Sequence, residues 1–440
     1  MPARPTNART ATAPAPGRRA LPAGTLLAVY LAALGVFVGV VVVRGGPSLG
    51  DAYGVTRPTA ALAQGDLGDA ARQSVLPQPP GYVYLAAPFV AALRPVVGAP
   101  TWCDPRVPAI VRVFAGQCTA RQLAAHRWYR SQALLGVLAW LVLAAGGAAL
   151  LRAAGAGGGG REVVLVVALA GVPAASDAIV ETFHPQDIVC VGLTCAALAA
   201  VVRRRWALAG AVFGAAFLCK QFALLPLAAV VVCAPGWGAR ARVAVPAAAV
   251  ACCGLVPFLA VDAGGTWRTL SAVNAGGAGN LTTGTVLGLT GLSVTAKLYV
   301  ARDGPVVVAL ALGWWARRRW RGARPDPVAV VGLATACLAG RLVLELAFAS
   351  YYLLAVSAGL LLLDLAARRL PVVSLSWIVL CSLVVEPAGG QPTSHTDAAL
   401  ALVLSLGALV VGVHAARGPR RPEGAGTRPR APASLAAGAR

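Results

Sequence analysis

The chain of 440 residues is 58% apolar and only 12% charged, with a mean hydropathy of +0.72. That composition excludes an ordinary soluble enzyme or binding domain. A net charge of +22 would point to nucleic acid in a soluble chain, but its distribution excludes that partner here. Basic residues sit in short clusters between apolar runs: Arg4/Arg9/Arg18/Arg19, Arg152/Arg161, Arg203-Arg204-Arg205, Arg240/Arg242, Arg317 to Arg324, Arg368-Arg369 and the tail after Ala416. This is positive-inside patterning, with anionic lipid headgroups as the partner.

In chain order, residues 1–21 are rich in Pro, Ala and Arg and predict a disordered basic cytoplasmic tail. The apolar run from Leu21 to Val43 follows that tail without a small-residue cleavage site, so it reads as a retained span at 22–43, not a signal peptide. The polar segment 44–130 is expected outside. Within it, Pro58 to Arg72 predicts a short helix with Leu62 and Leu67 facing lipid. Tyr82 to Val97 predicts an interfacial stretch, which Arg94 and Pro95 keep from crossing.

Further spans are expected at 131–151, 162–180, 187–202, 206–219, 221–235, 243–261, 304–316, 327–347, 351–367, 371–386 and 398–415. The expectation is an all-α polytopic membrane protein of about twelve transmembrane helices. One transmembrane domain covers 22–416, its large first external loop (44–130) carries interfacial helices, and both termini are cytoplasmic. The segment 417–440 forms a second disordered basic tail.

Of the ten cysteines, those in expected spans, such as Cys190, Cys219 and Cys252-Cys253, serve as small hydrophobes. Cys103 and Cys118 both fall in the first external segment. A disulfide between them is allowed by compartment and not fixed by spacing. No CxxC pair is present, which argues against structural zinc.

The acids separate by side. Glu162, Asp326, Asp364 and Glu423 lie near the expected cytoplasmic face, while the rest lie in or beside external segments. Acids contribute little to topology, so this skew has another cause: polar chemistry is gathered at one face.

Four constellations carry that chemistry. Asp51 follows the first span by a few residues, where a partly desolvated carboxylate can act as a general base. Asp66 and Asp69, spaced i, i+3, either read substrate from one helical face or cap a helix. The run Pro77-Gln78-Pro79-Pro80 then leads into Tyr82, Tyr84 and Phe89. Second, the turn Glu181-Thr182-Phe183-His184-Pro185-Gln186-Asp187 crowds proton-moving and hydroxyl-binding groups, with His184 a candidate catalytic residue and Gln186 and Asp187 candidate substrate contacts. Helix capping accounts for Asp187 but for neither His184 nor Gln186.

Third, Lys220-Gln221 lies between Phe217 and Phe222. A lysine between apolar runs either snorkels or neutralises a phosphate. Fourth, Arg341 and Glu345 stand one turn apart in an apolar span, as an intrahelical ion pair or a phosphate site. Ser350-Tyr351-Tyr352 beyond them are interface anchors or a stacking platform. The segment Gly276 to Asn280 lacks the strand–turn–helix setting of a nucleotide loop.

In their order and common sidedness these features resemble the GT-C superfamily of polytopic glycosyltransferases. The likeness is particularly to bacterial mannosyl- and arabinofuranosyltransferase-like members that use polyprenyl-phosphate sugars. The residues carrying the likeness are Asp51 after the first span, the GDAYG…ALAQGDL segment, Gln78-Pro79-Pro80-Gly81-Tyr82, His184-Pro185-Gln186-Asp187 and Lys220-Gln221, and it covers most of 25–370. The resemblance implies transfer of a sugar from a polyprenyl-phosphate donor to a glycan or glycolipid acceptor of the cell envelope, at the external face of a bacterial plasma membrane.

By resemblance Asp51 is the base, and Lys220 with Arg341 holds the donor phosphate. Some relatives bind a divalent metal through a paired-acid motif. Here Ala52 follows Asp51, so the pair is incomplete and no metal ligand is assigned. The competing expectation is a transporter or flippase of lipid-linked saccharides. Such proteins show repeat-related halves and charges near the midplane, and the sequence has no internal repeat.

Overall fold

The computed structural model describes residues 22–43, 49–72, 79–97, 127–157, 159–180, 183–271, 287, 290–320, 326–345, 350–385 and 395–418. Among these residues the regular structure is helical, without a strand. The first helices are α1 (Ala23–Val43), α2 (Leu49–Ala63), α3 (Leu67–Arg72) and α4 (Gly81–Val97). They are followed by α5 (Arg127–Ala153), α6 (Gly160–Ala170), α7 (Pro173–Val180), α8 (Pro185–Val202) and α9 (Trp206–Cys219). After a 3-10 turn, Gln221–Ala223, come α10 (Leu224–Cys233), α11 (Gly236–Val261), α12 (Ala263–Ser271), α13 (Val294–Trp320) and α14 (Pro327–Leu344). A second 3-10 turn, Ser350–Tyr352, precedes α15 (Leu353–Ala366), α16 (Val372–Val385) and α17 (His395–Ala416).

Among the described residues six helices are long and apolar enough to cross a bilayer, and the pair α6–α7, bent by 42°, makes up to seven. This is a multi-pass membrane protein. The other expected spans are helical too, but 206–219, 221–235, 351–367 and 371–386 coincide with apolar helices of 10–17 residues. The expected span 304–316 belongs to the 27-residue α13, whose first half carries Lys297, Arg302 and Asp303.

The spanning helices fall into two groups. The apolar windows of α8 and α14 are 89% and 78% buried by protein, whereas those of α1 and α11 are 17% buried. The first pair forms the interior, and the second presents side chains to the hydrocarbon. Small residues bring the interior helices together. A Cβ on Gly192 of α8 would stand 2.6 Å from the Val142 backbone of α5, and one on Gly146 would collide with the Gly192 carbonyl. Helices inside a bilayer gain little from hydrophobic association, so such close backbone approach is a main source of their attraction.

Local chemistry sets the helix starts nearest the interior. Asp326 caps α14, its carboxylate accepting from the Val328 N–H, and Pro327 takes the first helical position. Pro185 does the same for α8. At the arginine-bearing ends, Arg152 donates to Glu162 at 2.7 and 2.8 Å, and Arg368 donates to the Gly155 carbonyl at 3.2 Å.

The first polar segment is more ordered than expected. Asp51 lies in the first turn of α2 and not in a loop. Leu62 and Leu67, expected to face lipid, are half-buried and pack against the cluster of Ala61, Ala70, Ala71, Val83 and Phe258. Arg94 and Pro95 do not interrupt the second apolar stretch, which is continuous helix to Val97. One side of α4 (Tyr82, Val83, Ala86, Val90) is buried and the other (Leu85, Phe89, Val96) is exposed. The side chain of Asp51, Pro77-Gln78, Cys103, Cys118, Glu181-Thr182, Gly276 to Asn280, residues 1–21 and residues 419–440 lie outside the described residues.

Candidate functional site

Four chain breaks meet at the end of the bundle opposite those arginines. At the first, between α7 and α8, Phe183 is fully buried with φ of 48°, a left-handed conformation costly for a bulky residue. That turn lets the His184 N–H reach back to the Ala178 carbonyl. It also starts α8 so that Gln186 and Asp187 point inward, both buried.

The second break separates α9 from α10. Lys220 is extended there (φ −158°, ψ 139°), and its carbonyl accepts from the Cys190 thiol at 3.6 Å. The third is the end of α14, with Arg341 and Glu345, and the fourth is the turn Ser350–Tyr352.

The side chains from these breaks form one continuous cluster. Lys220 Nζ lies 3.4 Å from Asp187 Oδ1, with the side chains 12% and 4% exposed. Arg341 Nη2 lies 2.8 Å from Glu345 Oε2. The Arg341 guanidinium lies over two rings, 4.7 Å from the centre of Tyr352 and 5.3 Å from that of Phe222. Tyr352 meets Tyr351 edge to face at 4.5 Å, and Tyr351 meets the His184 ring at 4.3 Å. The Asp187 carboxylate stands in the field of both Lys220 and Arg341. Burial pushes the His184 imidazole well below its ordinary value, and the positive charge of Lys220 acts in the same direction.

Charge in the cluster is balanced, with Lys220 and Arg341 against Asp187 and Glu345. The two contacts differ in quality. At 3.4 Å, Lys220–Asp187 is longer than a charge-assisted hydrogen bond. Both Asp187 oxygens are buried without a hydrogen-bond partner among the described residues, as is the Tyr82 hydroxyl. An ammonium has three donors, so the Asp187 contact leaves capacity on Lys220 for a ligand. Tyr82 joins from the first turn of α4, where a Cβ on Gly81 would stand 2.5 Å from the Leu218 carbonyl.

Thus Tyr82, His184, Gln186, Asp187, Lys220, Arg341, Tyr351 and Tyr352 come from separate parts of the chain to one end, with Gln221 in the 3-10 turn after Lys220. Asp66 and Asp69 do not join them. Asp66 Oδ1 accepts from the Asp69 N–H at 2.7 Å and caps α3, which packs on α2, α11 and α12. Capping, one of two sequence expectations for this pair, is the one the geometry supports.

Sequence reasoning left Phe222 and Cys190 without a site role, whereas Glu345 was already paired with Arg341 by its i, i+4 spacing. Cys190 was not detectable, because its contact with the Lys220 carbonyl joins separate parts of the chain. Among the described residues no three His, Cys, Asp or Glu side chains converge as metal ligands. Each carboxylate in the cluster faces a cation instead. No family model, no curated protein and no solved structure matches the chain.

Proposed function

We propose that the chain is an integral-membrane glycosyltransferase moving a sugar from a polyprenyl-phosphate donor to a cell-envelope glycan or glycolipid at the outer face. The observation that carries the reading is the buried Asp187–Lys220 contact beside Arg341, walled by Tyr351, Tyr352 and His184. Desolvating such charges costs several kcal/mol each. Ionisable groups kept inside a membrane protein therefore mark a polar ligand. Two cations suit a phosphate, and neighbouring rings suit a sugar face or a prenyl chain.

In this reading Lys220 and Arg341 hold the donor phosphate, and Asp187 and Glu345 hold those cations in place while the site is empty. The acceptor hydroxyl attacks the anomeric carbon as the bond from that carbon to the phosphate oxygen breaks. Polyprenyl phosphate leaves with its charge met by the two cations. The hydroxyl proton passes to Asp51 as general base. His184, neutral by burial, exchanges hydrogen bonds with sugar hydroxyls, as do Gln186, Gln221 and Tyr82.

The test is turnover by purified protein in lipid vesicles on a panel of polyprenyl-phosphate sugars. Transfer from one donor is expected, with a loss of about 10²–10⁴-fold in Asp51→Asn, the usual range for a general base. Near-normal turnover in that variant removes Asp51 as base. No transfer by the wild-type protein from any donor removes the transferase reading.

A further inference from the structure

At the arginine-bearing end, the last turns of α13 and α17 close on each other, Trp320 Nε1 donating to the Ala416 carbonyl at 3.0 Å. Beside that bond lies a cavity of about 510 Å³ lined by Trp315, Arg319, His414, Arg417 and Gly418. Among the described residues its lining contains three nitrogen-bearing basic side chains, one indole and no carboxylate. The first turn of α14 lies beside it: a Cβ on Gly418 would stand 3.8 Å from Ala329. The acid of that turn, Asp326, is engaged in capping.

We propose that this cavity binds the phosphate diester headgroup of an anionic phospholipid. Three features converge. Two guanidinium groups offer planar pairs of donors matched to phosphate oxygens. Arginine and tryptophan together are the side chains of the headgroup layer. On the same helix, Val307, Leu310 and Trp314 form an exposed stripe at helical spacing that leads to Arg318, whose guanidinium lies 3.7 Å from the centre of the Trp314 ring. A lipid with its headgroup in the cavity can lay an acyl chain along this helix, which a free phosphate cannot. The inference is independent of the reaction assigned to the other end.

The experiment uses the full-length protein in detergent, followed by native mass spectrometry and thermal melting. Its probes are short-chain phosphatidylglycerol, short-chain phosphatidylcholine and inorganic phosphate. Phosphatidylglycerol is expected to leave a retained one-to-one adduct and raise the melting temperature, and the other two are not. At about a fivefold loss per basic residue near a membrane surface, Arg319→Gln/Arg417→Gln weakens phosphatidylglycerol binding about twenty-five-fold. The control Arg94→Gln/Arg302→Gln, two exposed arginines outside the basic clusters, leaves binding unchanged. If the first double variant does not fold, Arg417→Gln alone carries the test with about a fivefold loss. Equal binding of phosphatidylcholine, equal protection by inorganic phosphate, an equal loss in the control pair, or wild-type binding in the Arg417→Gln variant overturns the proposal.

Discussion

Asp187, Lys220, Arg341 and Glu345 sit together with side chains between 4% and 18% exposed, whereas Arg302 and Asp303 pair on the surface of α13 at 46% and 58%. By distance alone the surface pair is better, at 2.8 Å against 3.4 Å for Lys220–Asp187. Its energetic weight is nonetheless smaller, because water already solvates both groups and salt screens them. The buried pair has no such alternative, so removing one partner strands the other. Burial, not contact distance, decides which acid–base pair matters.

The sharpest way to break this comparison is Asp187→Ala. The variant strands Lys220 and is expected to lose about 3–5 kcal/mol, the usual range for breaking a buried pair, read from denaturant or thermal unfolding in detergent. The double variant Asp187→Ala/Lys220→Met is expected to recover much of that loss, since an apolar replacement removes the stranded charge. A double variant no better than the single would show that Lys220 is solvated and that the pair is not buried in practice.

A smaller effect concerns pH. The folded protein holds His184 neutral well below the pKa of about 6.5 that an unfolded imidazole has. Above that value neither state binds the proton, so the group adds no pH dependence. Below it the unfolded state binds a proton that the folded state does not, and stability falls by at most about 1.4 kcal/mol per pH unit. Melting curves between pH 7.5 and 5.5 are expected to show a steeper fall for the wild-type protein than for His184→Gln. Parallel slopes would mean that the imidazole titrates freely. The smallest effect is at the surface pair: Arg302→Gln is expected to leave the melting temperature unchanged, and a marked fall would make the exposed pair the exception.

Much of the helical plan was legible in the sequence, because apolar periodicity and arginine clusters are local signals. Pro185 and Asp326-Pro327 marked helix starts directly. The Arg341–Glu345 pair was equally visible, since helical spacing brings i and i+4 together. The partner of Asp187 was not. Residues 187 and 220 belong to different helices, and only the packing of α8 on α9 brings them together. The first polar segment was misread for a related reason. The expected helix started only at Pro58, yet α2 begins at Leu49 and carries Pro58 within a helix that packs on α4 and α3. Tertiary burial outweighed local propensity there.

The tight seat of Gly81 against Leu218 has a mechanical consequence. With backbone against backbone, the first turn of α4 cannot lift from α9 without breaking the contact, so Tyr82 and Lys220 travel as one rigid wall. Movement at this end then falls to the facing side, where the Arg341 guanidinium rests on the Tyr352 ring. Gly81→Ala would pry the wall apart without touching a charge.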